Sequence, residues 1–231
     1  FDTLGPICKS VEDSHFLFDA MTNVNFQKPT KLKPENFKFL VIKNMSFENI
    51  DSDINNSFNI AIEKIIQSGA TVEYKNLSEI DNAFEISKTV FPAEAYGIWH
   101  HEIEKNPEKM FAPIRERFRS GRDIAACDYI FSLYKLLDLR MSFLNKVVGF
   151  DAILAPTSPI KPPCITRLLD DHNFFTEKNL LALRNTRIAN SLNLCALTLP
   201  TKTDFSGLML MGRPNSEVEL MSIGLSIEEI K

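Results

Sequence analysis

Glycine is scarce in this sequence, and its scarcity excludes several kinds of site. The chain has 8 glycines in 231 residues, about half of what average usage would supply. They are dispersed, which excludes the glycine-rich loops that bind phosphate and the Gly-x-Ser-x-Gly turn that exposes a nucleophilic serine. The chain also begins at Phe1 and has no methionine before Met21. We therefore expect the sequence to be a fragment of a longer protein.

Other absences exclude whole classes of partner. The chain has 26 basic and 30 acidic residues, and this lack of a basic excess argues against nucleic acid and anionic membranes as main partners. No apolar run is long enough to span a bilayer, and no secretory signal opens the chain. The 4 cysteines are widely spaced, which disfavours a zinc site or a disulfide framework. This cysteine usage predicts a reducing compartment, the cytoplasm.

Hydrophobic patterning predicts an α/β fold. The apolar run 37–42, a helical pattern over 51–68 that ends at Gly69, and the strand 71–74 form a βαβ unit. Two strands joined by such a crossover are expected to be parallel. Residues 78–149 have helical spacing, and three closing strands are predicted at 151–156, 196–200 and 207–212. The short connection between the last two predicts a hairpin.

Local signals also predict where individual helices begin and end. Ser10 and Ser78 each open a Ser-x-x-Asp sequence, which is typical of a helix N-cap. Asp123 is the predicted cap of the longest helix, which should end at Gly149. A single helix is predicted around 177–192. The charged run 115–123 is expected to be a solvated helix face with paired charges.

Few residues offer recognisable chemistry. The sequence Trp99-His100-His101-Glu102 begins like a zinc-protease motif, but Lys105 stands where the second histidine is required. We therefore expect no metal site. Ser158 follows a predicted strand, at the position where α/β sheets commonly bind ligands. Its hydroxyl either faces a ligand or bonds the backbone of a proline-rich loop, and the second interpretation is favoured.

Six segments of the chain share the pattern and order of one enzyme family. They lie at 2–13 (DTLGPICKSVED), 91–96 (FPAEAY), 106–121 (from NPE to IRERFRSG), 125–129 (AACDY), 151–159 (DAILAPTSP), and the pair 189–200 and 207–214. Each segment alone is weak evidence. Because they occur in the correct order and cover nearly the whole chain, the sequence resembles the C-terminal half of the amidase signature family.

This resemblance implies a fold and a division of the chain. The fold is α/β, with α/β/α layers around a mixed sheet, and residues 1–231 form the C-terminal portion of a single amidase-type domain. Its parts are a helix that follows the catalytic core (1–25), the βαβ unit (37–75), a helical middle (78–149), and closing strands and helices (151–231).

The resemblance also implies a reaction, the hydrolysis of carboxylic amides to an acid and ammonia or an amine. The family uses a nucleophilic serine, a second serine in a cis peptide, and a lysine, without metal or cofactor. These groups belong to a Gly/Ser-rich region that would precede Phe1, so no catalytic residue is assigned in this chain. The chain alone is therefore expected to be inactive.

Some site residues are nevertheless implied. Asp2 matches a carboxylate near the active site that orients an arginine beside the nucleophile. The residues implied to line the substrate pocket are Trp99, His100, Thr157, Ser158 and Asn190. The expected partners are a small-molecule amide and the catalytic half, and a homodimer is left open.

Alternatives to a stand-alone amidase remain. Asn193 and Cys195 stand where the family usually has Gly and Pro, which blurs the subfamily, although Asn tolerates the left-handed conformation of a helix C-cap. Less favoured members of the same family are an allophanate hydrolase and an amidotransferase subunit. A different class of function is a non-catalytic fragment that acts as a binding module.

Overall fold

The computed structural model describes residues 1 and 3–230, so the role expected of Asp2 lies outside the described residues. The helices of this part are α1 (Val11–Thr22), α2 (Ser52–Gln67), α3 (Ser78–Lys105), α4 (Ala112–Arg119), α5 (Ala126–Lys146), α6 (Ile165–Asp170), α7 (His172–Ala182), α8 (Thr186–Leu192) and α9 (Glu217–Ile227). The strands are β1 (Lys38–Ile42), β2 (Thr71–Lys75), β3 (Ala152–Pro156), β4 (Cys195–Pro200) and β5 (Gly207–Gly212). None of these helices is long and apolar enough to cross a membrane.

The five strands form one mixed sheet in the order β2-β1-β3-β5-β4. Strand β1 pairs in parallel with β2 and with β3. The predicted βαβ unit is thus confirmed. Strand β5 is antiparallel to both β3 and β4, which confirms the closing hairpin.

Both faces of the sheet are covered by helices. In β1, Phe39 and Val41 point into one hydrophobic core, whereas Leu40 and Ile42 point into the other. The first core includes residues of α2 and α9, and the second includes residues of α3, α5 and α8. Because side chains alternate along a strand, a strand buried on both faces must be apolar at every position. The α/β/α arrangement is therefore confirmed.

Several predicted helix ends are also confirmed. The Ser10 hydroxyl accepts a hydrogen bond from the backbone N–H of Asp13 at 3.1 Å, as expected of an N-cap. Gly69 follows α2 with a φ of +102°, a conformation that costs glycine little. Asn193 ends α8 in the left-handed region, with a φ of 57°, so it replaces the family's usual glycine there.

Two predicted caps are wrong. The cap of α3 is Leu77 rather than Ser78, because the side chain of Asn44 already accepts a hydrogen bond from the Leu77 N–H at 2.9 Å. The cap of α5 is Ala125, and Asp123 instead pairs with Arg122 at 3.1 Å. Neither Leu77 nor Ala125 caps its helix with a side-chain hydrogen bond.

Two other helix predictions are wrong. The helix predicted to be the longest is α5, which has 21 residues and ends at Lys146, before Gly149, whereas the longest described helix is α3, with 28 residues. The helix predicted at 177–192 is two helices, α7 and α8. The break between them allows the buried Asn185 amide to donate hydrogen bonds to the carbonyls of Ser46 and Pro156, at 3.1 and 2.8 Å.

Gly121 makes a close contact with the backbone of α3 at Pro92. A Cβ added to Gly121 would lie 1.9 Å from the carbonyl oxygen of Pro92. Only glycine allows the turn after α4 to approach the backbone of α3 so closely. This contact holds α4 against the middle of α3, where the candidate site is found.

We expect Gly121→Ala to lower the free energy of unfolding by about 1–3 kcal/mol, since the added methyl must push two backbones apart. Gly97→Ala is the matched control, because Gly97 lies within α3 and a Cβ there meets nothing within 4 Å. That variant should gain about 0.5–1 kcal/mol from helix propensity. Urea denaturation measures both, and equal effects of the two substitutions would contradict the packing argument.

Candidate functional site

A polar cluster surrounds Glu94 on α3. The Tyr129 hydroxyl on α5 donates a hydrogen bond to Oε1 of Glu94 at 3.0 Å. The backbone nitrogen of Phe1 lies 4.0 Å from Oε2 of Glu94, and the Asn190 amide on α8 donates to the Phe1 carbonyl at 3.3 Å. We call these four residues the Glu94 cluster. It joins three helices to the first residue of the chain.

Neighbouring hydrogen bonds keep α8 in place beside this cluster. Arg140 on α5 donates to the carbonyl of Ser191 at 2.9 Å. The hydroxyls of Ser87 and Ser191 are 3.0 Å apart, and Ser87 donates its proton to the Ala83 carbonyl, so Ser191 is the donor of that pair. Burial lowers the pKa of the Arg140 guanidinium, and the nearby Glu94 carboxylate opposes this effect.

Two half-buried arginines lie along the same face of α3. The guanidinium of Arg187 is 4.7 Å from the centroid of the Phe84 ring, and that of Arg117 is 4.6 Å from the centroid of the Phe91 ring. Phe84 and Phe91 are seven residues apart and therefore share one face of the helix. Glu94 follows Phe91 by one turn of α3, and Asn190 follows Arg187 by one turn of α8, so each arginine neighbours one residue of the Glu94 cluster. We call Arg117 and Arg187 the arginine pair.

The arginine pair has no carboxylate partner within the described residues, where neither guanidinium donates a hydrogen bond to the protein. Burial lowers the pKa of both groups, and the charge of Arg117 lowers the pKa of Arg187 further. A guanidinium presents a planar set of N–H donors that matches a carboxylate. Two such groups, partly removed from water and unpaired, form a suitable place for an anionic group of a ligand.

The candidate pocket residues on α3 lie beyond this cluster. Trp99 is 48% exposed, and the Nδ1 of His100 donates to the Gly97 carbonyl at 2.9 Å. The centroid of the His100 ring also lies 4.1 Å from that of His101. Asn190 belongs to the Glu94 cluster, but no hydrogen bond or ring contact among the described residues joins Trp99 or His100 to it.

The other two pocket candidates lie in the loop after β3. The Ser158 hydroxyl donates to the carbonyl of Ile160 at 3.0 Å and accepts from its N–H at 3.4 Å. The bond to the loop backbone that the favoured interpretation expects is thus present. The Thr157 hydroxyl donates to the hydroxyl of Thr198 at 3.3 Å, so it too is engaged within the protein.

This loop is anchored to the opposite end of α8 from the Glu94 cluster. The amide of Asn185, just before α8, donates to the carbonyl of Pro156, which ends β3. Asn190 instead lies near the end of α8. The structure therefore brings Asn190 together with Glu94, and it places the loop of Thr157 and Ser158 at the other end of the same helix.

Sequence reasoning missed Glu94 and the arginine pair as site residues. Glu94 and Arg117 lie within segments that carry the family resemblance, but neither was assigned a role. In the charged run, Arg115, Arg119 and Arg122 do pair with acidic side chains, as predicted. Arg117 differs because it stacks on an aromatic ring. No local signal marks that difference, since it depends on which face α4 turns toward α3.

One cavity of about 540 Å³ lies between α3 and α5, on the surface. It is lined by Asn82, Glu85, Ile86, Lys135, Asp138, Leu139 and Ser142. The predicted pocket residues do not line it. The described residues also contain no group of three or more His, Cys, Asp and Glu side chains arranged to hold a metal ion.

Comparison with known protein families gives one match over most of the chain. The model of the Amidase family matches residues 1–221. The chain belongs to the amidase family. Homologues in this family hydrolyse amides, and the mixed sheet with helices on both faces is its fold.

Two curated relatives show the range of the family. The chain is 27% identical over 239 residues to 2-amino-5-chloromuconic acid deaminase of Comamonas testosteroni, covering 99% of this chain and 51% of that protein. It is also 27% identical over 266 residues to a glutamyl-tRNA(Gln) amidotransferase subunit of Sulfurisphaera tokodaii, covering 99% of this chain and 55% of that protein. The chain thus spans about half the length of these relatives.

The fold has solved counterparts. A crystal structure of an amidase superposes with a TM-score of 0.79 at 20% identity, covering 97% of this chain and 52% of the other. At that identity the likeness establishes the fold alone. Within this fold, the described residues gather the Glu94 cluster and the arginine pair along α3.

The pKa of Tyr129 provides a test of the Glu94 cluster. Burial raises this pKa above the ordinary value of 10.0, and the hydrogen bond and charge of Glu94 raise it further. The folded state thus favours the protonated phenol. Its contribution to stability is full below about pH 10 and is lost as the pH rises through the higher folded value.

We therefore expect Glu94→Gln to lower the pKa of Tyr129 in the folded protein. The pKa of Tyr74 is raised by burial and by Glu63, so it should not change and is an internal control. Titration of the tyrosine ring carbons by NMR measures both, with Tyr129→Phe assigning the resonance. An unchanged Tyr129 pKa in Glu94→Gln would mean that the hydrogen bond is not formed in solution.

Proposed function

We propose that this chain forms the substrate-pocket portion of an amide hydrolase whose catalytic residues lie in a preceding portion of the same protein. In the intact protein a serine attacks the amide carbonyl, and a cis-peptide serine and a lysine relay its proton to the leaving amine. Water then releases the acid from the acyl-serine. This chain supplies sheet and pocket residues and none of those three groups.

The observations that carry this proposal are the match of the Amidase family model to residues 1–221 and the share of its relatives that the chain covers, 51% and 55% of two amidase-family proteins. The candidates for contacts with different parts of the substrate are then the arginine pair, Trp99, His100, Thr157 and Ser158.

The arginine pair supports a substrate that carries a negative group besides its amide. Two guanidinium groups that have no carboxylate partner within the described residues would bind a substrate carboxylate through charge-assisted hydrogen bonds. One relative, the deaminase from Comamonas testosteroni, is named for an acid. We infer a carboxylate-bearing amide as the substrate class, and a cytoplasmic location in keeping with the four free cysteines.

Two other members of the family and one different class of function are alternatives. Similarity to a glutamyl-tRNA(Gln) amidotransferase subunit keeps an amidotransferase-like member open, and likeness in fold to an allophanate hydrolase does the same for that enzyme. The alternative from a different class of function is that the chain is a non-catalytic binding module. It would bind the anionic ligand through the arginine pair without hydrolysing it.

We expect Arg117→Gln, in the intact protein, to lower kcat/KM for carboxylate-bearing amides by about ten- to hundredfold, mainly through KM, because a charge-assisted hydrogen bond is lost. Neutral amides of the same size should be unaffected. Arg119→Gln is the control, since Arg119 pairs with Glu104 at 3.0 Å. Equal losses for charged and neutral amides would contradict the anion-binding role.

If the catalytic residues lie in a preceding portion of the protein, purified residues 1–231 should hydrolyse no amide, whereas the complete gene product should. The gene product should have about twice the mass of these residues and contain a lysine and a Gly/Ser-rich run before them. Intact-mass measurement and amide turnover assays of both proteins check this. Robust hydrolysis by residues 1–231 alone would refute the proposal.

A further inference from the structure

Two aromatic rings of α3 lie against the arginine pair, one ring for each arginine. Arg117 belongs to α4, and its guanidinium lies 4.6 Å from the centroid of the Phe91 ring. Arg187 belongs to α8, and its guanidinium lies 4.7 Å from the centroid of the Phe84 ring. Guanidinium groups from two different helices thus meet aromatic rings on one face of a third helix.

The fold holds both rings in place. Phe84 is 7% exposed and belongs to the core that includes residues of α3, α5 and α8. The Phe91 ring meets the Phe118 ring edge to face, with centroids 5.8 Å apart and ring planes at 73°. Phe118 directly follows Arg117 on α4, so α4 both supports the Phe91 ring and places a guanidinium over it. Each ring is therefore a fixed surface for its arginine.

A ring that faces a guanidinium orders it without using its hydrogen-bond donors. The attraction is between the cation and the electrons of the ring face, whereas a carboxylate partner takes up N–H groups. Arginine has a large rotamer entropy, and ordering such a side chain costs free energy when a ligand binds. Because the rings order the arginine pair before a ligand arrives, less of this cost falls on the binding step.

Arg119 shows the alternative way of ordering an arginine. Its guanidinium donates two hydrogen bonds to the Glu104 carboxylate, each of 3.0 Å, which occupies two of its donors and neutralises its charge. Within the described residues, no carboxylate does this for Arg117 or Arg187. The arginine pair is thus ordered by aromatic rings while its charge stays uncompensated there, a combination that suits the binding of an anion.

We propose that Phe84 and Phe91 are positioning residues that set the preference of this protein for anionic substrates, because they hold the arginine pair in place with its donors free. This inference rests on the proposed function, in which the pair binds a carboxylate of the substrate. The rings act through the arginines and not on the reacting amide. Loss of a ring should therefore weaken the binding of a charged ligand and leave that of a neutral one unchanged.

Hydrogen exchange of the arginine side chains tests the positioning role in the intact protein. Phe91→Leu removes the ring but keeps an apolar side chain, so the Nε–H proton of Arg117 should exchange with water about three- to tenfold faster, as expected from the loss of a cation–π contact. The same proton of Arg187 should be unchanged, since Phe84 remains. Phe91→Tyr keeps an aromatic face and should retain the slow exchange. NMR of isotope-labelled arginine measures these rates.

Succinamate and succinamide test the specificity role, because they have the same shape and differ in whether one end is a carboxylate or an amide. We expect Phe91→Leu to raise the dissociation constant of succinamate about three- to tenfold and to leave that of succinamide unchanged, while Phe91→Tyr restores the wild-type value. Phe174→Leu is the matched control, since it removes a ring 3.9 Å from Arg167, an exposed arginine outside the pair. Chemical-shift titrations completed before measurable hydrolysis give these constants, and circular dichroism checks that each variant folds.

Three results would overturn the proposal. Unchanged exchange of the Arg117 proton in Phe91→Leu would mean that another group orders this arginine, such as a carboxylate from another part of the protein. Faster exchange without weaker binding of succinamate would mean that the rings do not set specificity. A wild-type protein that binds succinamate no better than succinamide would refute the carboxylate preference of the proposed function and the specificity role with it, and the exchange rates would then show by themselves whether the rings position the arginines.

Discussion

Burial of β3 on both of its faces is the constraint on which the rest of this structure depends. All five of its residues are buried, so the sheet is stable only with a helical layer on each side. On one side that layer contains α3, α5 and α8. Because these three helices must all pack on the same face, they meet one another, and Glu94, Tyr129 and Asn190 are brought together. The site is thus a consequence of how the sheet is covered.

The buried charged side chains of this fold differ in whether an opposite charge compensates them. Glu79 is 5% exposed, and burial alone would raise its pKa. Its ion pair with Lys146 and hydrogen bond from Ser142 prevail, so the pKa is lowered. Arg117 and Arg187 are also partly buried, but no carboxylate of the described residues compensates them. Within the described residues the fold thus compensates the charge of Glu79 but not those of Arg117 and Arg187, and this contrast is what the proposed carboxylate site rests on.

Helix α5 connects the Glu94 cluster to its surroundings. It holds Tyr129 against Glu94 and Arg140 against α8. Its buried residues Leu136 and Phe143 belong to the core that α3 and β3 share. The same helix therefore packs on the sheet and positions two polar groups of the cluster.

The sequence by itself determined the strands, most helices, the parallel pairing of β1 with β2, the hairpin of β4 and β5, and the family, because these follow from local periodicity and from motifs in order. It did not determine that β3 pairs with β1 and β5. It placed the cap at Ser10 correctly, since that side chain acts on its own segment of backbone. It failed at Ser78, because Asn44 reaches the start of α3 from a distant segment. Only the tertiary structure decided that Arg117 has no carboxylate partner within the described residues while Arg119 has one, and which side of α5 is exposed. Those outcomes depend on distant segments meeting in space, which no local pattern encodes.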